Sequence, residues 1–273
     1  MPRRRTGHDD QGMPLFIGTS GWQYDHWKRR FYPQDKPNRV PQRAWLEFYA
    51  ARFATVESNN AFYNLPERKV FEAWRQRTPE DFVMAVKVSR YLTHIKKLNE
   101  PKEPVERFVE RARGLGDKLG PALLQLPPQL GKDLGRLRET LEAFPKDMRV
   151  AVEFRHVSWW TDEVRALLEE FGAALCLADR YRPISPVWRT TDWTYVRFHS
   201  GRGSPPGCYG YAALRAWAQR IRDTWPASAD AFIYFNNDFH ACALANAVTF
   251  ARLAEGAGLY PTRVPPMSDI TVD

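Results

Sequence analysis

The sequence predicts an α/β fold, a single (β/α)8 barrel of the TIM type, on three observations. Eight short apolar segments alternate with about as many helical ones along 273 residues, a length suited to one barrel of roughly 250 residues. Polar and charged residues recur toward the C-terminal end of one strand after another, where a barrel gathers them at one mouth. No Gly-x-Gly-x-x-Gly run opens a helix, which disfavours the competing open, doubly wound sheet. With no internal repeat and no dividing linker, one domain is expected over 14–258, between a disordered tail at 1–13 and a C-terminal tail at 259–273.

The first strand is expected at 15–18, running into Thr19-Ser20-Gly21-Trp22. The loop after it carries Trp27, Phe31 and Tyr32, aromatic side chains placed to stack on a ligand. Residues 44–51 read as a helix with Trp45 and Phe48 on one face, and 54–58 as a second strand ending in Glu57-Ser58-Asn59-Asn60. A helix at 67–77 is stopped by Pro79; a third strand at 82–88 brings Lys87 to its end. His94 follows in a polar loop with Lys96 and Lys97 and reads as surface. In the helix expected at 104–118, Pro104 suits the first turn, while Gly114 and Gly116 loosen the end. A fourth strand, 122–126, is closed by Pro127-Pro128, and a helix at 134–144 leads to the fifth strand.

That fifth strand, Val150-Ala151-Val152-Glu153-Phe154 running into Arg155, is the most informative stretch. Period-2 alternation puts Ala151, Glu153 and Arg155 on one face and Val150, Val152 and Phe154 on the other. A bulky apolar face suits covering helices, and a small-then-charged face suits the inside of a barrel. A helix at 161–171 with Thr161 as N-cap follows, then a strand from 173 ending at Asp179 and an irregular crossover at 180–192. The seventh strand lies within 192–199, its Tyr195, Arg197 and His199 sharing a face. A helix at 210–225, a strand at 231–235 ending in Asn236-Asn237-Asp238, and a helix at 242–257 complete the series.

Net charge is +8, with 40 Lys and Arg against 32 Asp and Glu, which favours anionic partners but decides nothing about fold. Arg3, Arg4 and Arg5 have no apolar stretch behind them and no uninterrupted apolar run reaches about 18 residues, so neither a signal peptide nor membrane association is expected. The odd set Cys176, Cys208 and Cys242 lacks metal-type spacing and suggests a reducing compartment, so a cytoplasmic location is expected.

Gathered at the mouth, Glu57 and Glu153 are the candidate acid and base, with Arg155 holding one ionised. His199 and His156 are candidate proton carriers, and Lys87 and Arg197 candidate anion clamps. His156, beside Trp159 and Trp160, equally suits simple packing. Ser20, Trp22, Asn59, Gln125, Trp159, Asp179, Asn236 and Asn237 are expected to line the site. Arg202, in a glycine-rich loop at 200–207, adds charge where barrels often hold phosphate. No cofactor is predicted. A divalent metal held by Glu57, Glu153, Asp179, His156 and His199 is an alternative, although no local spacing supports it. The same charges could instead form an internal ion-pair network that only closes the barrel.

Several motifs together resemble a known family. They are Gly18-Thr19-Ser20-Gly21-Trp22, Phe31-Tyr32-Pro33, Val56-Glu57-Ser58-Asn59 with Phe62-Tyr63, and Lys87 with Thr93-His94. Gln125-Leu126-Pro127-Pro128, Val152-Glu153-Phe154-Arg155-His156, Tyr195-Val196-Arg197-Phe198-His199 and Tyr234-Phe235-Asn236-Asn237 continue the series. In order and spacing they resemble the YecE-like proteins, whose domain of unknown function is numbered seventy-two. The resemblance implies a TIM barrel and supplies no activity, cofactor or catalytic residue. Ser200 and His240 stand where that family commonly has Gly. The sequence therefore leads to an enzyme using general acid–base chemistry on a small anionic or phosphorylated substrate. The alternatives are a nucleic-acid-binding barrel, as in a metal-dependent repair nuclease, and a metabolite-binding regulatory protein.

Overall fold

Nine parallel strands form one curled sheet whose order is β2-β3-β4-β5-β6-β7-β8-β1-β9 in a computed structural model describing residues 13–180 and 185–272. The strands are β1 (Pro14–Thr19), β2 (Thr55–Ser58), β3 (Val83–Lys87), β4 (Leu119–Gln125), β5 (Val150–Glu153), β6 (Ala174–Asp179), β7 (Thr194–Phe198), β8 (Ala231–Phe235) and β9 (Tyr260–Pro261). The helices are α1 (Trp45–Ala50), α2 (Asn60–Tyr63), α3 (Arg68–Gln76), α4 (Lys102–Ala112), α5 (Leu134–Ala143), α6 (Asp162–Glu170), α7 (Tyr211–Thr224) and α8 (Cys242–Gly256). Apart from Met13, the tail expected at 1–13 lies outside the described residues. Among the described residues no helix is long and apolar enough to cross a membrane.

Alternation along the strands builds two cores. Small and aromatic residues, with Leu123 and Val83, fill the inside, among them Ala85, Ala151, Cys176, Tyr195, Phe232 and Tyr234. Bulky aliphatic residues on the alternate positions, such as Val56, Val86, Val152 and Val196, pack outward in the larger cluster that includes the helices. This is the division of faces that strand periodicity demands.

The edges of the sheet approach one another where β1 meets β2. Ser20 and Glu57 form a parallel bridge there. Only glycine fits at Gly18, because a Cβ would collide with the Thr55 carbonyl oxygen. Below this bridge the C-terminal segment wedges in: Thr262 N donates to Leu15 O, and Ala54 N to Arg263 O. Within the stretch expected as a tail at 259–273, residues 260–263 thus join the sheet edge, satisfying backbone groups at β1 and just before β2 that would otherwise be left unpaired.

Other departures are local. The expected helix at 104–118 stops as an α-helix at Ala112 and tightens into a 3-10 stretch, Arg113–Lys118, with Gly116 at φ 56°. In the crossover after β6, residues 181–184 lie outside the described residues, and 185–192 form no helix or strand. This segment still serves β6: Ser185 Oγ accepts from Ala178 N, and Thr190 Oγ1 accepts from Leu175 N. The aromatic loop after β1 is not open to a ligand, for Trp27, Phe31 and Tyr32 are buried, and Tyr32 stacks on Trp45 at 4.4 Å. Aromatic area of this size is driven from water unless a partner covers it. The cysteine expectation is also corrected: Cys208 and Cys242 form a disulfide and Cys176 is buried, so these residues give no support for a reducing compartment.

Candidate active site

Inward positions at the C-terminal ends of three strands produce the centre of the site. Glu57 on β2, Glu153 on β5 and Arg197 on β7 are at most 1 % exposed. Arg197 spans the interior as a fork: Nη2 donates to Glu57 Oε1 at 2.8 Å, and Nη1 donates to Glu153 Oε2 at 2.5 Å. Tyr195 OH donates to the other Glu57 oxygen at 2.7 Å. Arg155, just past the end of β5, donates its Nε to Glu153 Oε1 at 2.9 Å. Each buried carboxylate therefore has both oxygens engaged, as buried charges require.

Burial works to raise the Glu153 carboxyl, but the charge of Arg197, then His199 and Arg155, more than offsets it and holds the group well below the usual carboxylate range. Glu153 is a fixed anion and not an acid. Burial alone would weaken the Arg197 guanidinium, and the two glutamates keep it firmly protonated.

The charge chain ends at His199. Its Nε2 lies 3.4 Å from Glu153 Oε1 without hydrogen-bond geometry, while Asn236 Nδ2 lies 3.2 Å from Nδ1. With Asn236 donating, the neutral ring carries its proton on Nε2, facing Glu153. Burial lowers the His199 pKa, with Glu153 opposing in part.

Lys87 on β3 is 8 % exposed, and its Nζ sits 3.9 Å from the centroid of the Phe62 ring. It has no hydrogen-bond or ion-pair partner among the described residues. Burial and then Arg197 bring its pKa down to about 7. His94 packs edge-on against the same Phe62 ring at 5.0 Å, and Thr93 Oγ1 lies 2.8 Å from its Nδ1. Burial, Lys87 and Arg155 push the His94 pKa down to about 4. The expectation that His94 is surface is therefore corrected: a π turn, Tyr91–Ile95, folds it back toward the end of β3. The turn is five residues long and has no sequence signature, although the Thr93-His94 pair was among the family-like motifs.

Several expected residues fall into place around this centre. Ser20 and Gln125 are buried, Gln125 lying beside Glu153 in register, and Asn59 Nδ2 donates to Ser20 O at 3.2 Å. Ser20 Oγ, Asn59 Oδ1 and Arg197 Nε are buried with no hydrogen-bond partner among the described residues. Such unmet hydrogen-bonding capacity at one mouth favours a polar ligand.

Other expected residues do not join them. Asp179 alternates out of phase with Ala174 and Cys176, and its Oδ2 accepts from Trp217 Nε1 at 2.6 Å on the helix side. The inward neighbour is Arg180, which the sequence reading missed. Period 2 from Ala174, Cys176 and Ala178 points to it, and its Nη1 is buried without a partner among the described residues. Trp22 is buried edge-on against Trp74, and Trp159 is buried with its Nε1 donating to Leu130 O. His156 Nδ1 accepts from Ser158 N and pairs with Ser158 Oγ, capping a short turn. Asn237 Nδ2 donates to Gly207 O and Asn246 Oδ1, anchoring the loop over 200–207 in which Arg202 stands exposed.

Of the suggested metal ligands, Glu57, Glu153 and His199 meet at this centre, while Asp179 and His156 are engaged with Trp217 and Ser158. Among the described residues no group of three His, Cys, Asp or Glu side chains is placed to hold a metal ion.

The comparisons with known proteins agree on the architecture. A family model described as "Protein of unknown function DUF72" matches residues 16–268. A solved DUF72 family protein of Thermotoga maritima is similar at 27 % identity with a TM-score of 0.76, covering 88 % of this chain and 99 % of that one. A DUF72 family protein of Enterococcus faecalis is similar at 20 % identity with a TM-score of 0.73, covering 92 % and 98 %. A search of curated proteins finds no match.

Proposed function

The chain belongs to the DUF72 family, and from the geometry of its mouth we propose that it is an enzyme using general acid–base chemistry on a small carboxylated or phosphorylated substrate. The observation that carries this reading is the buried chain Glu57–Arg197–Glu153 running to His199. Interring three charges merely to close a sheet is inefficient, because apolar residues of the same volume serve as well or better. In this reading His199 is the proton carrier, with Asn236 fixing its neutral tautomer and Glu153 stabilising its protonated form. Glu57, Tyr195 and Arg197 are positioning residues. Arg155, Arg180 and Lys87 form a cationic rim in which only Arg155 is paired with a carboxylate, Glu153, and the surplus charge favours an anionic substrate. Ser20, Asn59 and Gln125 supply polar contacts. The curled sheet is read as a closed eight-stranded barrel, supported by the Ser20–Glu57 bridge.

A panel of small carboxylates and phosphorylated compounds, scored by thermal shift and then by NMR for turnover, tests the proposal. Wild type is expected to be stabilised by at least one compound and to consume it. His199→Gln should retain the shift and lose turnover by about 10²–10⁴-fold, and Arg155→Gln should lose the shift.

The nucleic-acid reading has one observation of its own. Tyr63 after β2 and Phe239 after β8 are 72 % and 71 % exposed, and bases stack on such rings. Binding confined to oligonucleotides and falling steeply with salt would favour that reading and overturn the first.

A further inference from the structure

We infer that Lys87 is an imine-forming amine, condensing with the carbonyl group of a small substrate whose carboxylate or phosphate is held by Arg155. The inference rests on the acid–base reading above and narrows its substrate to a carbonyl compound bearing an acidic group.

Lys87 stands at the C-terminal end of β3 on the inward face, with its side chain buried and its Nζ unpaired among the described residues. The two carboxylates that act on it, Glu57 and Glu153, both hold Arg197, and Glu153 also holds Arg155. Lys87 is thereby denied the ion pair that keeps most buried lysines protonated. Its Nζ contact is the face of Phe62, which favours the ammonium modestly and does not occupy the lone pair of the free amine. Arg197 and Arg155 add like charge nearby, and neutral His94 adds none. With the pKa brought down to about 7, roughly half of the amine is the free base at neutral pH, against less than ~0.1 % for an ordinary lysine. Desolvated lysines beside another cation are the ones that act as nucleophiles.

The step balances without an oxidant or reductant. The Nζ lone pair attacks the carbonyl carbon and the C=O π electrons move to oxygen, giving a carbinolamine after proton transfer through water. The C–O bond then breaks, with a proton from solvent, and water departs as the C=N bond forms. The resulting iminium is an electron sink for proton removal at the adjacent carbon, and His199 is the group available to move that proton.

The test uses the full-length protein with pyruvate in one arm and glycolaldehyde phosphate in the other, each trapped with sodium borohydride at pH 7 and mapped by peptide mass spectrometry. The expected result is an adduct on Lys87 at least ~100-fold more abundant than on any other lysine. Reaction with only one probe identifies the acidic group as carboxylate or phosphate. Lys87→Arg should abolish the adduct, and inorganic phosphate binding to the unaltered protein is read by NMR in the same preparations. Adducts spread evenly over surface lysines, or none on Lys87, overturn the inference whatever the variant does. If Lys87 is unlabelled while phosphate still binds through Arg155, the acid–base reading stands alone; if phosphate binding is also missing, both fall.

Discussion

Arg197 holds the site together through one planar fork that bonds two carboxylates on strands far apart in sequence. A point charge on a flexible stem cannot reproduce that geometry, so Lys is not a conservative replacement. Arg197→Met is expected to leave Glu57 buried without a cation and Glu153 with Arg155 alone, lowering stability by about 3–5 kcal/mol in urea unfolding. Adding Glu57→Gln should recover part of that loss, and a wild-type-like midpoint for the single variant would contradict the account. His94 gives a second check at this scale. Its folded pKa of about 4 lies below the ordinary 6.5, so its contribution to stability is complete above pH 6.5 and is lost as pH falls toward 4. The His94 ring resonances should titrate near pH 4 in the native protein; a midpoint near 6.5 would show the ring to be solvated.

At the scale of elements, the loop after β7 is tied to α8 by a disulfide between Cys208 and Cys242 and by the Asn237–Asn246–Tyr209 hydrogen bonds. The two cysteines are 34 residues apart, and on the chain-entropy model a loop of that length stabilises by about 3–4 kcal/mol. Cys208→Ala with Cys242→Ala should lower the unfolding free energy by that order, read by guanidinium unfolding, and an unchanged midpoint would refute the cross-link's role. Strands were legible in the sequence because period 2 and apolar content are local properties: Glu57, Glu153, Arg155, Arg197 and His199 were all found that way. Asp179 is the last polar residue of its strand but lies out of phase with Ala174 and Cys176, and the same phase assigns Arg180 to the interior instead. The buried aromatic loop, the π turn at His94 and the Cys208–Cys242 pairing were not legible, because each depends on contacts between distant segments.

For the whole molecule, parallel strands carry their C-terminal ends to one side, and so the charge scattered along the chain becomes one mouth. Two carboxylates are committed to Arg197 there, leaving Lys87 and the free arm of Arg155 as surplus positive charge beside neutral His199. On the proposed function this mouth binds small anions and is more than an ion-pair network closing the sheet. Titration of inorganic phosphate into isotope-labelled protein, followed by NMR at moderate salt, tests it most directly. The account predicts saturable shifts at the His199 ring, the Arg155 side chain and the Asn236 amide, abolished by Arg155→Gln. Shifts spread over surface lysines and arginines, or a response at the mouth that survives Arg155→Gln, would contradict it.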